Sequence, residues 1–243
     1  THTTVFNWTD AGSYDLLKAF ISHSDPWTKC LHALCDMLGV KVVVPVTTNA
    51  VSAQLGGSFL GSGACGRVFR VFYPDDDESI TYAMKLVIST DEEQGRIGEV
   101  ENEYCQLNNA KGEGVIPVVF DSFKTSSVNL NSKTLLFGGY LMSVVGCPVE
   151  NNKANVTNML KSLNGLHQRG ICHGDARIQN VVQCECKLYW VDFRTSSLSA
   201  SNVFRANDVE QFLKSAHVEF NKSVIATYKD NLNIQELLNT IKL

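Results

Sequence analysis

A glycine-rich segment near residue 60 constrains the fold more than any other part of this chain. Gly61, Gly63 and Gly66 have the spacing G-x-G-x-x-G, and Val68 begins a β-like run that reaches residue 72. Glycine lets a backbone take positive φ and approach a ligand closely. In a dinucleotide-binding fold the same spacing opens a helix, whereas here it precedes a strand. We therefore predict a β-hairpin whose glycine turn can approach the phosphates of a nucleotide. A tight hairpin without a ligand is the alternative.

The length and charge of the chain limit its architecture and its partners. At 243 residues the chain is close to the roughly 250–300 residues at which a single hydrophobic core divides, so we expect two lobes or two small domains. The net charge of −4 argues against nucleic acid as a partner, because such binding needs clustered Lys and Arg. No apolar run approaches the ~20 residues of a membrane span, so we expect no membrane partner.

The eight cysteines are scattered through apolar stretches. Disulfide frameworks are typical of short secreted chains, and residues 1–10 lack the charged and apolar regions of a signal peptide. We therefore expect an intracellular protein, in the cytoplasm or nucleus, with reduced thiols. Cys184 and Cys186 lie close together, but no second ligand pair stands at zinc spacing, so we expect structural thiols at the turn of a strand pair.

Hydrophobic periodicity predicts strands, one helix, more strands and then a mostly helical half. This order indicates an α+β fold in which a sheet lobe precedes a helical lobe. We predict a helical extension over residues 1–55, a sheet lobe over 56–145 and a reduced helical lobe over 146–243, with a stripe in the extension (Trp27, Leu31, Leu34, Leu38) that should pack on the sheet lobe. The predicted helices cover 8–38 (two helices), 97–107, 154–168, 208–220 and 233–241, a linker covers 50–58, and the predicted strands cover 41–46, 59–60, 68–72, 82–88, 115–123, 134–144, 171–172, 181–182 and 188–191.

A lysine within an apolar strand suggests an anion-binding site. Lys85 ends the run Tyr-Ala-Met-Lys, and a buried ammonium group is costly unless it meets an anion. The side chain can reach the α- and β-phosphates of a nucleotide; a lysine at a strand edge is the alternative. The next helix offers Glu99, Glu101 and Glu103 as partners. Because Glu103 borders the apolar stripe of that helix and Glu101 falls on its far face, we favour Glu103, with Glu99 second.

The most specific pattern lies in the second half of the chain. Asp175 and Asn180 are five residues apart in a loop between short strands. That spacing lets the carboxylate face an attacking hydroxyl while the amide oxygen binds Mg²⁺. Asp192 follows an apolar strand, where a carboxylate can bind a Mg²⁺ ion that bridges nucleotide phosphates. Either aspartate alone could be structural. The glycine-rich segment, Lys85, a helix glutamate and these aspartate motifs, occurring in this order along the chain, together predict a nucleotide site.

These motifs resemble those of the protein-kinase superfamily over roughly residues 59–220. The resemblance implies a two-lobe protein-kinase-like fold with ATP and Mg²⁺ in the cleft between the lobes. The site residues that it implies are Lys85 for phosphate binding, Glu103 as its partner, Asp175 as the catalytic aspartate with Arg177 in the same loop, Asn180 and Asp192 as metal ligands, Gly61, Gly63, Gly66, Val68 and Ala83 around the nucleotide, Met142 at the back of the pocket, and Ser143 and Val145 on the hinge that faces adenine.

Three departures from the protein-kinase pattern bear on regulation and substrate. His-Gly-Asp at 173–175 replaces His-Arg-Asp, so a phosphorylated activation loop loses its usual arginine anchor; the same motif is common in small-molecule kinases of the aminoglycoside and choline kinase type. Asp-Phe-Arg at 192–194 replaces Asp-Phe-Gly, and Arg194 can hold this turn in one state. Ala-Pro-Glu is absent, and Asp208, which looks like the aspartate that braces the catalytic loop, comes soon after Asp192.

The resemblance implies transfer of the ATP γ-phosphoryl group to a Ser/Thr hydroxyl, including self-phosphorylation. A small-molecule kinase and a pseudokinase that serves as a binding module are the alternatives. The segments 59–71 and 83–87, with the helix 27–38 ahead of them, are similar to kinase domains of Crinkler-type effectors, which implies action inside a host cell. The hydroxyls of Thr195, Ser196, Ser197, Ser199 and Ser201 could suggest a phosphorylation switch. Because position 174 is not an arginine, we predict instead an enzyme that is active as synthesised. The switch stays open as the alternative, since Arg177 and Arg194 could still bind a phosphate.

Overall fold

The computed structural model describes residues 26–43, 59–63, 66–77, 79–90, 95–110, 115–130, 133–198 and 201–241. The first of the two helices predicted within 8–38 and the linker predicted at 50–58 lie outside these residues. All of the predicted site residues lie inside them.

An antiparallel sheet forms the first half of the fold. Its strands are β1 (Lys41–Val42), β2 (Phe59–Gly63), β3 (Gly66–Phe72), β4 (Tyr82–Thr90), β5 (Val119–Leu130) and β6 (Lys133–Met142). They run in the order β1-β3-β4-β6-β5, and β2 pairs with β3 on the same edge as β1. The glycine-rich segment is therefore the connection of a hairpin, as the sequence predicts. The register places Lys85 opposite Val68 on one side and opposite Tyr140 on the other.

The two faces of the sheet carry different helices because side chains alternate along each strand. Helix α1 (Pro26–Leu38) covers one face with a buried stripe that includes Leu34 and Leu38. It packs against Met84 and Leu86 of β4, among other residues. Gly139 permits this approach, since a Cβ there would lie 2.6 Å from the Leu34 side chain. Near the N-terminus of α1, the guanidinium carbon of Arg67 lies 4.2 Å from the centre of the Trp27 ring.

Helix α2 (Gly95–Asn109) packs on the opposite face of the sheet. Val100 and Leu107 enter the core there beside Ala83 and Val87 of β4. Glu103 lies between them on the same helix face and is also buried. The alternation along β4 therefore points Lys85 toward α2 while its neighbours Met84 and Leu86 point toward α1.

The second half of the described chain is mainly helical. Its elements are β7 (Cys147–Pro148), α3 (Lys153–Gln168), a 3₁₀ turn at Ile178–Asn180, β8 (Val181–Cys184), β9 (Lys187–Trp190), a 3₁₀ turn at Phe193–Thr195, α4 (Asn202–Ser215), α5 (Lys222–Asn231) and α6 (Ile234–Thr240). Trp190, Phe193, Phe212 and Tyr228 supply the largest buried side chains of this half. Its core is continuous with the α2 face of the sheet. The mixed α+β class predicted from the sequence is confirmed, and the structure shows in addition that the first sheet is antiparallel.

Several predicted boundaries are wrong. The helix predicted over 208–220 begins at Asn202, because the Ser201 side chain caps it by accepting from the Phe204 N–H, and it ends at Ser215. The helix at Lys222–Asn231 was not predicted. The strand predicted over 115–123 runs from Val119 to Leu130. The strand predicted at 171–172 is a single bridge between Cys172 and Ser197. Among the described helices, none is long and apolar enough to cross a membrane.

Candidate functional site

A cavity of about 360 Å³ lies between the sheet and the helical half. This volume is within the range of roughly 300–1,000 Å³ typical of small-molecule sites. Six of the residues predicted from the glycine hairpin and strands line it, and Glu103 and Asp192 line its polar end. The six are Gly61, Gly66, Val68, Ala83, Lys85 and Met142.

Six predicted residues do not line this cavity in the described structure: Gly63, Ser143 and Val145 of the nucleotide set, and Asp175, Arg177 and Asn180 of the loop before β8. Ser143 turns toward β5, where its N–H donates to the Val118 carbonyl at 2.8 Å and its hydroxyl accepts from the Val118 N–H at 3.1 Å. Val144 and Gly146 line the cavity instead. The segment after Met142 thus borders the cavity, but through other residues than those predicted.

Gly66 is required by the sheet as well as by the hairpin. A Cβ at this position would lie 2.4 Å from the Leu86 carbonyl oxygen of the neighbouring strand. At Gly61, by contrast, a Cβ would meet no atom within 4 Å. The third glycine therefore lets β3 lie close to β4, whereas the surrounding atoms impose no steric requirement for glycine at position 61.

The ammonium group of Lys85 joins two carboxylates at the polar end of the cavity. Its Nζ atom lies 2.5 Å from Glu103 Oε2 and 3.5 Å from Asp192 Oδ1. Burial alone would lower the pKa of Lys85, but the Glu103 and Asp192 carboxylates outweigh that effect and raise the pKa above its usual value. Lys85 is therefore a fixed cation. This contact brings together three residues that are far apart in sequence and that were each predicted for the site.

The structure separates the three glutamates of α2. Glu103 is 1 % exposed and pairs with Lys85. Glu99 is exposed and pairs with Arg194, with 3.2 Å between Oε2 and Nη1. Glu101 is exposed. The choice of Glu103 agrees with this arrangement, and the second choice has a different partner.

Tyr140 is a site residue that sequence reasoning missed. It is fully buried, lines the cavity and lies opposite Lys85 in the β4–β6 ladder. Burial raises the pKa of its hydroxyl, and the nearby Glu103 carboxylate raises it further. Only the strand register reveals this residue, because nothing in its local sequence separates it from an ordinary core tyrosine.

Asp175 and its two loop partners form one hydrogen-bonded group. Asp175 Oδ2 accepts from Arg177 Nη2 at 2.5 Å and from Asn180 Nδ2 at 3.0 Å. Asn180 Nδ2 also donates to the Asp175 carbonyl at 2.8 Å. These bonds use the side-chain amide nitrogen of Asn180 and leave its side-chain oxygen, Oδ1, available for another ligand. The Val191 N–H donates to the backbone carbonyl of Asn180 at 2.9 Å, so this loop lies directly against the residue that precedes Asp192.

A buried carboxylate fixes the backbone of this loop. Asp208 accepts from the N–H groups of His173 at 2.7 Å and Gly174 at 2.8 Å, and from His167 Nε2 at 3.1 Å. His173 Nε2 donates to the Val191 carbonyl at 3.0 Å, and burial lowers the pKa of His173. The imidazole of His173 is accordingly neutral and structural. Asp208 thus has the bracing position that the sequence predicts.

His167, Cys172 and Asp208 have ligand atoms within 4.8 Å of one another. Their hydrogen bonds argue against a metal site. Both Asp208 oxygens accept backbone protons, and both nitrogens of His167 have partners, the second being the Tyr228 hydroxyl at 2.8 Å. Burial raises the pKa of the Cys172 thiol to about 12, which opposes thiolate formation. We assign this group to the core of the helical half.

Replacing Gly174 should destabilise the fold. Gly174 has φ of +82°, and a Cβ there would lie 2.1 Å from the Thr195 carbonyl oxygen. We expect Gly174→Ala to lower the free energy of unfolding by about 1–3 kcal/mol, because it combines a strained backbone with a steric clash. Urea unfolding measures this. Gly165→Ala in α3 is the matched control, since its Cβ meets nothing within 4 Å and the change should stabilise the helix by about 0.5–1 kcal/mol. Equal changes in the free energy of unfolding for the two substitutions would contradict a steric requirement for glycine at position 174.

No protein-family model matches the chain, and no curated protein matches it significantly.

Proposed function

We propose that this protein is a kinase-like phosphotransferase that binds ATP with Mg²⁺ and transfers the γ-phosphoryl group to a hydroxyl. The contact of Lys85 with Glu103 and Asp192 is the observation that carries the proposal. A cation held between a helix glutamate and a post-strand aspartate, below a glycine hairpin, is the phosphate-binding arrangement of protein kinases. The cavity beside it has an apolar portion suited to a base, lined by Val68, Ala83 and Met142, among others.

The residues present fit a Mg²⁺ ion. Mg²⁺ prefers hard oxygen ligands and is bound through one or two protein groups together with substrate phosphates. Asp192 supplies a carboxylate that is about one-third exposed, and Asn180 supplies the amide oxygen that its own hydrogen bonds leave available. When bound, the ion would neutralise charge on the phosphates. Asn180 and Asp192 are the residues that would hold it.

Asp175 is the proposed group that meets the acceptor. Its carboxylate would accept the proton of the attacking hydroxyl as the oxygen bonds to phosphorus and the bond from phosphorus to ADP breaks. Arg177, which is half exposed and contacts Asp175, would hold the carboxylate in place and face the transferred group. Lys85 would bind the other phosphates, so positioning and charge supply most of the rate.

The acceptor is proposed to be a Ser or Thr hydroxyl of a protein, including this chain. One observation favours a small-molecule acceptor instead. Only residues 196–201 separate the turn Phe193–Thr195 from helix α4, which leaves little room for a platform that docks a peptide. Radiolabelled transfer to self, to generic proteins and to a panel of small hydroxyl compounds would distinguish the two, and failure of all three would favour a binding module.

Mg·ATP should stabilise the protein against heat. A ligand at about 100 times its Kd adds roughly 2.7 kcal/mol to the free energy of unfolding, which corresponds to an increase in Tm of about 5–10 °C for a chain of this size. Thermal unfolding with ATP, with and without Mg²⁺, measures the effect. Asp192→Asn is the matched variant, and it should lose most of the increase in Tm that depends on Mg²⁺. An unchanged Tm at millimolar Mg·ATP would contradict the proposed function.

A further inference from the structure

We infer that Arg194 and Glu99 are positioning residues that hold helix α2 against the segment after Asp192, so that the phosphate-binding site assembles without phosphorylation of the chain. This inference concerns the regulation of the proposed site and rests on the proposed function. Lys85 connects helix α2 to Asp192, and the contact of Arg194 with Glu99 connects the same helix to the turn that follows Asp192.

The two contacts lie one helical turn apart. Glu99 and Glu103 are separated by four residues and therefore project from the same side of α2. Glu103 binds Lys85, Lys85 contacts Asp192, and Arg194 binds Glu99 at 3.2 Å. These ion pairs therefore join the helix to the segment 192–194 at successive turns of α2. Loss of the outer ion pair would weaken the attachment of the helix and, with it, the contact between Glu103 and Lys85.

The segment that carries Arg194 is itself held by the helical half. Phe193 is 1 % exposed, and the centre of its ring lies 4.7 Å from that of His173. Cys172 and Ser197 exchange two backbone hydrogen bonds of 2.9 Å each. Arg194 therefore extends from a fixed turn, and its side chain can position α2 rather than follow it.

Two of the hydroxyls near this turn have structural roles. Ser196 Oγ donates to the Phe193 carbonyl at 2.6 Å, and Ser201 caps helix α4. Position 174, where an arginine could anchor a loop phosphate, has no space for a Cβ. The Arg194–Glu99 contact therefore supplies the ordering that a phosphate would otherwise provide.

Charge reversal tests the inference. Both side chains are partly exposed, at 27 % for Arg194 and 50 % for Glu99, so removing the pair by Arg194→Gln should raise the KM for ATP about two- to fivefold. Arg194→Glu places two carboxylates together and should raise it about tenfold. The apparent affinity falls with the fraction of competent protein, so kcat at saturating ATP should change less than KM. Arg194→Glu combined with Glu99→Arg should restore the wild-type KM, which loss of packing alone would not allow.

A second measurement separates this inference from the proposed function. Hydrogen exchange of the α2 amides in the protein without ligand should be about two- to fivefold faster in Arg194→Gln than in wild type and should return to normal in the double reversal. Glu210→Gln, which removes the Glu210–Lys214 pair on α4, is the control and should not affect α2. An inactive wild-type protein would overturn the proposed function but leave this measurement intact. Unchanged exchange in α2, or a double reversal no better than the single one, would overturn the positioning role.

Discussion

Replacing Asp175 with asparagine should lower the rate of phosphoryl transfer by about 10²–10⁴-fold, the usual contribution of a general base. Asparagine keeps the shape of the side chain and can still accept from Arg177 and Asn180 through its carbonyl oxygen, as Asp175 Oδ2 does now. It cannot take the proton of the acceptor hydroxyl. The loop should therefore keep its structure while the chemical step slows.

The same substitution should leave nucleotide binding nearly unchanged. Asp175 contacts Arg177 and Asn180, whereas Lys85, Glu103 and Asp192 form the polar end of the cavity. Single-turnover transfer together with the Mg·ATP-dependent increase in Tm distinguishes the two steps. Asp36→Asn, at an exposed position on α1, is the control. Wild-type transfer by the Asp175 variant would mean that the loop has another role, and a lost Tm increase would place Asp175 on the nucleotide.

The polar centre of the site could be predicted because its residues violate local expectations. Lys85 stands in an apolar strand, and Glu103 stands beside the buried stripe of a helix, so each needs a partner of opposite charge. The order of the motifs then suggested which groups meet. Tyr140 and the Glu99–Arg194 pair could not be predicted in this way, since they depend on strand register and on how a helix approaches a distant turn.

The errors in the helical half have a similar origin. The first turns of α4 carry Val203 and Phe204 on the surface, so no apolar stripe marks them. Helix α5 buries only Ile225 and Tyr228, which is too few positions to show a helical period. The caps Ser201 and Asn221 were the available signals, because such residues favour helix starts.

Replacing Lys85 with methionine should lower the free energy of unfolding by about 3–5 kcal/mol at pH 7, which is typical of a buried ion pair that loses one partner. Methionine matches the aliphatic part of lysine, so the packing changes little. Glu103, which is 1 % exposed, would lose its cation and keep the nearby Asp192 carboxylate. The cost comes from a buried negative charge without compensation.

The loss should depend on pH, and the sign follows from Glu103. Lys85 lowers the pKa of Glu103 against the effect of burial, so its removal raises the pKa of Glu103 in the folded protein further above the unfolded value of about 4.3. Between the unfolded pKa and the higher folded pKa, Glu103 keeps its proton in the folded variant but loses it in the unfolded chain. The stability of the variant therefore falls as pH rises from the unfolded pKa to the folded pKa of Glu103. Relative to wild type, the deficit should be small near pH 4 and largest at neutral pH.

Urea unfolding at several pH values, followed by tryptophan fluorescence, measures this effect without any assay of activity. Adding Glu103→Gln to Lys85→Met removes the buried charge and should recover most of the stability at pH 7 while making the deficit insensitive to pH. Lys124→Met is the control, because Lys124 pairs with Asp121 at 3.7 Å on the surface and such pairs contribute about 0–1 kcal/mol. A loss of stability that does not vary with pH, and that Glu103→Gln does not relieve, would contradict this prediction. It would mean that Lys85 stabilises the fold through packing and that its positive charge is not needed to compensate the Glu103 carboxylate.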